Sequence, residues 1–396
     1  MFSKTSTTRY TESCSDNTEK QCRSERLNID ILEARVAMGE LILHIGTRKT
    51  GTTSLQKFFY DNRDVLLRNG VDYIQFTRQK AAPYKNNRNG VFLSRYCEAL
   101  SLKKEIDNYV NDFEENYNRL AMALKGNNRV LISDEDLSNL SIKKYGEKQN
   151  PETYWRELAR VIGNLEPSKT TIIVYLRRQD EYVVSTWKER VKGGFINNTF
   201  REYLRDPNRK YELDYTIMLD AISSSFGSAA KIIVRSYNKA SSSPDGIFRD
   251  FCDALEIPWD NDYKKPTSKI NKSLSFDAAE AVRTCKYGMY VLGNEEKRKK
   301  RKKAIAALSS KYPDPKGTTI FMPGEAESFM KQFSEANRRI EEEYCDNKPL
   351  FSNEFNKGPI WQPNRLRIAK YRAVLMCLRL PKKLRSFFGP KLGAWK

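Results

Sequence analysis

The chain has 396 residues, with 70 Lys and Arg against 50 Asp and Glu, and a single histidine. That length allows one large domain or two small ones, and 19 Phe, 21 Tyr and 5 Trp are enough to fill a core. No apolar run approaches the roughly 20 residues needed to span a bilayer; one histidine and seven scattered cysteines without a C-x-x-C pair argue against both a zinc site and a disulfide frame.

Residues 1–38 are polar, lack the apolar stretch of a signal peptide and read as disordered. A cytoplasmic setting with reduced thiols is the expectation. From residue 41 to about 256, apolar runs at 41–45, 71–76, 129–133, 170–176 and 231–236 read as strands. They alternate with helix-like stretches at 53–68, 103–125, 152–163, 180–192, 212–225 and 246–256. Such alternation predicts a mainly parallel sheet with helices on both faces. Short helices near 275–290 and 325–345 complete it. The predicted division is a disordered segment 1–38, an α/β domain 39–348 and a basic tail 349–396.

Two segments carry the chemistry. Residues 41–53 read LILHIGTRKTGTT: a buried strand, a loop with two glycines, a lysine and threonines, then a helix. This arrangement turns backbone N–H groups and a helix N-terminus toward a phosphate. The Walker loop, G-x-x-x-x-G-K-[ST], places Lys after the second glycine. Here Thr52 stands in that position, and the lysine comes earlier, in Lys49-Thr50-Gly51-Thr52-Thr53. The second segment, 170–176 (TTIIVYL), is a strand that ends in Arg177 and Arg178, with Ser185 eight residues after Arg177 in the following helix. Arg offers a fork of donors for phosphate oxygens and Ser one more.

The two segments together resemble the anion loops of sulfotransferases that use 3′-phosphoadenosine 5′-phosphosulfate (PAPS), in particular the bacterial carbohydrate-type members. The resemblance implies a P-loop NTPase-like three-layer sandwich with a central, mainly parallel sheet. It implies that Arg48, Lys49, Thr50, Gly51, Thr52 and Thr53 bind the 5′-phosphosulfate, with Lys49 at the phosphate–sulfate bridge. It also implies that Arg177 and Ser185 bind the 3′-phosphate. PAPS is then the co-substrate, 3′,5′-ADP (PAP) the product, and no metal is required. Gln179-Asp180 departs from the family, where a proline often stands next to an acid. Residues 269–275 (KINKSLS) and 337–344 (NRRIEEEY) resemble a late loop and a late helix of the same proteins.

An acceptor hydroxyl needs a base. Small-molecule members of the family use a histidine and several carbohydrate members a glutamate. His44 lies inside a strand and reads as packed. The acids after the strand RVLIS are the better candidates: Asp134, Asp136 and, as the choice made here, Glu135; Asp72 is a further option. The implied acceptor is a carbohydrate or glycolipid hydroxyl. Trp187, Lys188, Arg190 and Phe195 either line its cleft or serve helix packing. An apolar strand followed by acids (residues 130–135) also suits a P-loop kinase, and a non-enzymatic polyanion binder is a third reading.

The formal charge of +20 is concentrated. Residues 297–303 read KRKKRKK, taken as a loop, and residues 360–396 hold ten Lys and Arg and no acid. The tail mixes these cations with Trp361, Leu375, Leu378, Leu380, Leu384, Phe387, Phe388 and Trp395, a composition suited to peripheral contact with an anionic membrane, at its inner face for a cytoplasmic protein. No specific nucleic-acid motif accompanies the charge.

Overall fold

Strands that are apolar almost throughout have to be buried on both faces, and three such strands form the centre of a five-stranded sheet. The computed structural model describes residues 39–76, 87–104, 107–126, 128–138, 151–243, 245–266, 273–285 and 295–377. Within it β1 (Glu40–His44), β2 (Val71–Asp72), β3 (Arg129–Ser133), β4 (Lys169–Leu176) and β5 (Ala230–Ser236) form one all-parallel sheet in the order β2-β3-β1-β4-β5.

Side chains alternate across this sheet. Leu41, Leu43, Val130, Ile132, Ile172 and Val174 enter one core, shared with helices Val91–Ser101, Asp107–Lys125, Pro151–Gly163 and Tyr215–Phe226. Ile42, Leu131, Ile173 and Tyr175 enter the other, against helices Thr52–Asp61 and Gly246–Ala254. The result is a three-layer α/β sandwich of the P-loop NTPase-like class, with the glycine loop leaving the central strand β1. A third apolar cluster lies beside the sandwich. It joins the back of helix Gln179–Gly193 to helices Phe276–Thr284, Glu295–Lys311, Glu325–Lys331 and Arg365–Cys377.

Several elements differ from the sequence expectation. The stretch 53–68 is two helices, Thr52–Asp61 and Arg63–Arg68. Between them the buried Asn62 donates to Phe58 O (2.8 Å) and Lys264 O (3.0 Å) and accepts from Lys264 N (2.7 Å). The strand expected over 71–76 pairs for only two residues. Beyond them the Asn89 side chain takes over the edge of β3, donating to Leu131 O (2.8 Å) and accepting from Ser133 N (2.7 Å). Helix Val91–Ser101 has no counterpart in the sequence reading.

The basic run 297–303 is not a loop. It lies in helix Glu295–Lys311, which turns Arg301, Ile305 and Ser309 inward. Part of the segment 349–396 also belongs to the packed body: Leu350 and Phe351 reach the main core, and Ile368, Tyr371 and Leu375 of helix Arg365–Cys377 are buried. The disordered reading of 1–38 and most of the KINKSLS segment lie outside the described residues. The late helix is present as Ser334–Tyr344, and its Asn337 exchanges amide hydrogen bonds with Gln179 (2.7 and 3.3 Å).

Candidate active site

The loop after β1 folds tightly back on itself. A Cβ on Gly46 would come within 2.0 Å of Thr52 Cγ2, so only glycine fits there. Lys49 (φ 65°) and Gly51 (φ 77°) are both left-handed, a conformation that turns successive N–H groups to one side of a loop. Thr47 Oγ1 donates to Tyr175 O (2.8 Å), and Thr50 Oγ1 donates to Thr47 O (2.5 Å). The Thr50 hydroxyl is therefore buried as a brace of the loop, not presented as a ligand, and Thr50 can serve an anion only through its N–H. Gly51 caps helix Thr52–Asp61 without any side-chain cap. The first N–H groups of the helix lack intrahelical partners and carry its positive dipole end. Thr53, the helix's second residue, is half-buried.

Arg177 leaves the carboxyl end of β4 and reaches this loop: Nη1 donates to Lys49 O (3.3 Å). Its other nitrogens face Glu181 Oε2 (3.0 and 3.3 Å), and its guanidinium lies over the Tyr237 ring, 5.4 Å from the centroid. Lys49 Nζ lies 3.4 Å from Glu189 Oε2. Glu181, Ser185 and Glu189 are spaced i, i+4, i+8 along helix Gln179–Gly193 and so share a face. Since Glu181 meets Arg177 and Glu189 meets Lys49, the half-buried Ser185 between them belongs to the face beside the glycine loop. Arg48 points elsewhere, 3.7 Å from Asp136.

The acids after β3 have distinct surroundings. Asp134 is fully buried, ion-paired with Arg88, and accepts from Asp136 N (2.8 Å) and Ser94 Oγ (3.4 Å). Burial pushes its carboxyl up despite the guanidinium beside it. Gly90 permits this closeness, because a Cβ there would meet Asp134 Cβ at 2.8 Å. Arg88 also holds Asp136 (2.7 Å). Glu135 is half-buried and accepts from Thr52 Oγ1 (3.1 Å), which ties it to the start of the loop helix.

His44 is packed. Nδ1 meets Ser133 Oγ at 2.7 Å, Nε2 has no hydrogen-bond partner, and the ring is edge-on to Phe59, Tyr175 and Phe251. Burial pulls its pKa down to about 3.

Asp72 is in register with Val130, near the amino end of β3. It is therefore remote from the strand ends that carry the loop, and the register removes it as a base. Of the proposed cleft residues, Trp187 and Lys188 are buried: Trp187 donates to Asn198 O (3.1 Å), and Lys188 lies 3.2 Å from Asp314 over the Phe276 ring. Arg190 is paired with Glu212, and Phe195 stands exposed. The first three serve packing, because their side of the helix faces the third apolar cluster.

Sequence reasoning missed Tyr237, Glu181, Glu189 and Arg88. Tyr237 directly follows β5, the neighbour of β4, and its Cε2 would lie 3.1 Å from a Cβ on Gly51. Its position just past a strand end was the available signal. For Glu181 and Glu189 the signal was the helical spacing from Ser185; Arg88 left none. Among the described residues no group of three or more His, Cys, Asp or Glu is arranged to hold a metal.

No family model matches the sequence, and no curated protein matches it. Among solved structures the chain is similar to the crystal structure of a sulfotransferase from Alicyclobacillus acidocaldarius, with 16% identity, 58% of this chain and 85% of that one covered, and a TM-score of 0.34. A superposition of that quality speaks to neither substrate nor mechanism.

Proposed function

We propose that the protein transfers a sulfonate group from PAPS to a hydroxyl of a carbohydrate or glycolipid acceptor, releasing PAP. The observation that carries this reading is the hydrogen bond from Arg177, at the end of β4, to the carbonyl of Lys49, inside the loop after β1. The glycine loop and the arginine at the end of β4, 128 residues apart, thereby converge on one place. The fit extends to the uncapped start of helix Thr52–Asp61, a backbone donor set for the 5′-phosphosulfate. Arg177 and Ser185 would take the 3′-phosphate.

Transfer breaks the bond from sulfur to the bridging phosphate oxygen and forms one to the acceptor oxygen. Lys49 would stabilise charge on the leaving oxygen. Glu135, held beside the loop by Thr52, would accept the acceptor's proton. Glu181 and Glu189 contact Arg177 and Lys49 in this structure, and a bound anion would compete with them for those cations.

A kinase reading needs a lysine where Thr52 stands. Asp134, the first acid after β3, is buried and clamped by Arg88, which leaves the half-buried Glu135 as the acid nearest the loop. Calorimetry with EDTA present tests the choice. PAP should bind without Mg²⁺, and Arg177→Ala should weaken PAP by about 10–100-fold, the loss of one or two charge-assisted hydrogen bonds, while 5′-AMP changes little. Equal loss for both nucleotides, or Mg²⁺-dependent ATP turnover, contradicts the assignment.

A further inference from the structure

The third apolar cluster is edged by two helices that bring together the separate basic segments of the sequence. Tyr371 donates to Leu308 O (3.3 Å), and Arg367 lies over the Tyr312 ring, 5.8 Å from its centroid. Four residues forward on one helix match four residues back on the other, so Glu295–Lys311 and Arg365–Cys377 run antiparallel. Lys302 and Lys303, the end of the KRKKRKK run, therefore lie level with Met376 and Cys377. Together the two helices hold twelve Lys and Arg against two Glu. Lys299, Lys300, Lys302 and Lys303 are exposed, as are Arg365 and Arg367.

Helix Arg365–Cys377 is apolar on two opposite sides. Ile368, Tyr371 and Leu375 face inward and are buried. Leu366, Ala369, Ala373 and Met376, spaced i, i+3, i+7, i+10, form a second stripe that stands at the surface, with Leu366 84% and Met376 55% exposed. A helix needs one apolar stripe to join a core; the second is left for a different partner. A soluble polyanion would use the cations and leave this stripe in water. An anionic bilayer uses both, because its headgroups attract Lys and Arg while its acyl boundary takes apolar side chains.

We infer that the face formed by helices Glu295–Lys311 and Arg365–Cys377 docks on an anionic lipid membrane, with Leu366 and Met376 entering the acyl boundary. The face lies on the side of helix Gln179–Gly193 away from the glycine loop, so docking leaves the loop open. Neither helix is long and apolar enough to cross a bilayer, and the contact is peripheral.

The test is sedimentation of the full chain with phosphatidylcholine vesicles, with and without phosphatidylserine. Binding should require phosphatidylserine and fall with salt. Leu366→Glu combined with Met376→Glu should weaken it about tenfold, and Lys302→Gln with Lys303→Gln several-fold. PAP affinity should be unchanged in both, which separates this inference from the nucleotide reading. Leu366→Trp, a milder change, should add a blue-shifted emission component on anionic vesicles beyond that of the unsubstituted chain. Three results overturn the inference: no vesicle binding, vesicle binding that ignores the stripe substitutions, or a stripe substitution whose main effect is to dissociate a dimer.

Discussion

Lys49 holds a left-handed backbone (φ 65°), which L-residues other than Gly, Asn and Asp adopt at a cost. The strain places its ammonium beside helix Gln179–Gly193 and its carbonyl under Arg177. Lys49→Ala should lower the transfer rate by about 10²–10³-fold, the usual loss for one group that stabilises transition-state charge, with little change in melting temperature. Lys49→Gly should be equally inactive yet more stable by about 1 kcal/mol. A less stable glycine variant in urea titrations would show that the φ angle carries no strain. His44, the chain's one histidine, makes a second residue-scale prediction. Its folded pKa of about 3 lies below its ordinary value of 6.5 because the ring is buried. Between these values the unfolded chain binds a proton that the folded chain excludes. The stability tied to neutral His44 is therefore complete above pH 6.5 and is lost as pH falls toward 3, with a slope of up to about 1.4 kcal/mol per pH unit. Melting curves for His44→Gln should lack the pH 6.5–5 part of that slope, while the Asp134 carboxyl, raised by burial to about 6, contributes with opposite sign and alike in both proteins. An unchanged slope would mean that another group carries it.

At the scale of elements, the site depends on polar side chains that complete the backbone where an element stops. Asn62 ends the loop helix and holds residue Lys264, so that the helix, its successor and the segment after Gly246–Ala254 share one knot. Asn62→Ala would leave these buried partners unmatched and should cost about 1–3 kcal/mol in urea unfolding; a loss below about 0.5 kcal/mol, the range of neutral surface changes, would show the knot to be dispensable. Asn89 does similar work where β2 ends, and it sets the height of Ser133 and hence of Asp134 and Glu135. Neither asparagine was legible in the sequence as a structural device. A single polar residue gives no periodic signal, and the partners that tie these two to other elements include ones 42–44 and 202 residues away. The three central strands, β1, β3 and β4, were legible because each is an apolar run long enough to require burial on both faces; β2, only two residues long, and the half-buried edge strand β5 carry a weaker signal. The two segments that meet at the candidate site were legible because strand, glycines and cations follow one another locally.

For the whole molecule, the C-terminal region is more than a solvated tail. Removing residues 349–396 would strip Leu350 and Phe351 from the main core and Ile368, Tyr371 and Leu375 from the third cluster. It would also remove the Ser352 and Glu354 carbonyls that accept from the buried Arg178. At about 1.5–3 kcal/mol for each buried large apolar side chain, a chain ending at residue 348 should melt far below the full chain and scatter light as it aggregates. Equal melting temperatures would restore the view of 349–396 as an appendage. The net charge likewise has an architectural side: Arg301 of the basic run is buried, whereas its neighbours stay in water.

The amino-acid sequence by itself determined the alternating α/β pattern, the glycine loop and the arginine at a strand end, because each is written in residues close together along the chain. Tertiary structure alone decided that Arg177 reaches Lys49, that Glu181 and Glu189 share a face with Ser185, and that two distant basic segments form one surface. Those facts depend on strand order and helix facing. Both are set by which apolar surfaces meet in three dimensions, and that information is spread over residues far apart in the chain.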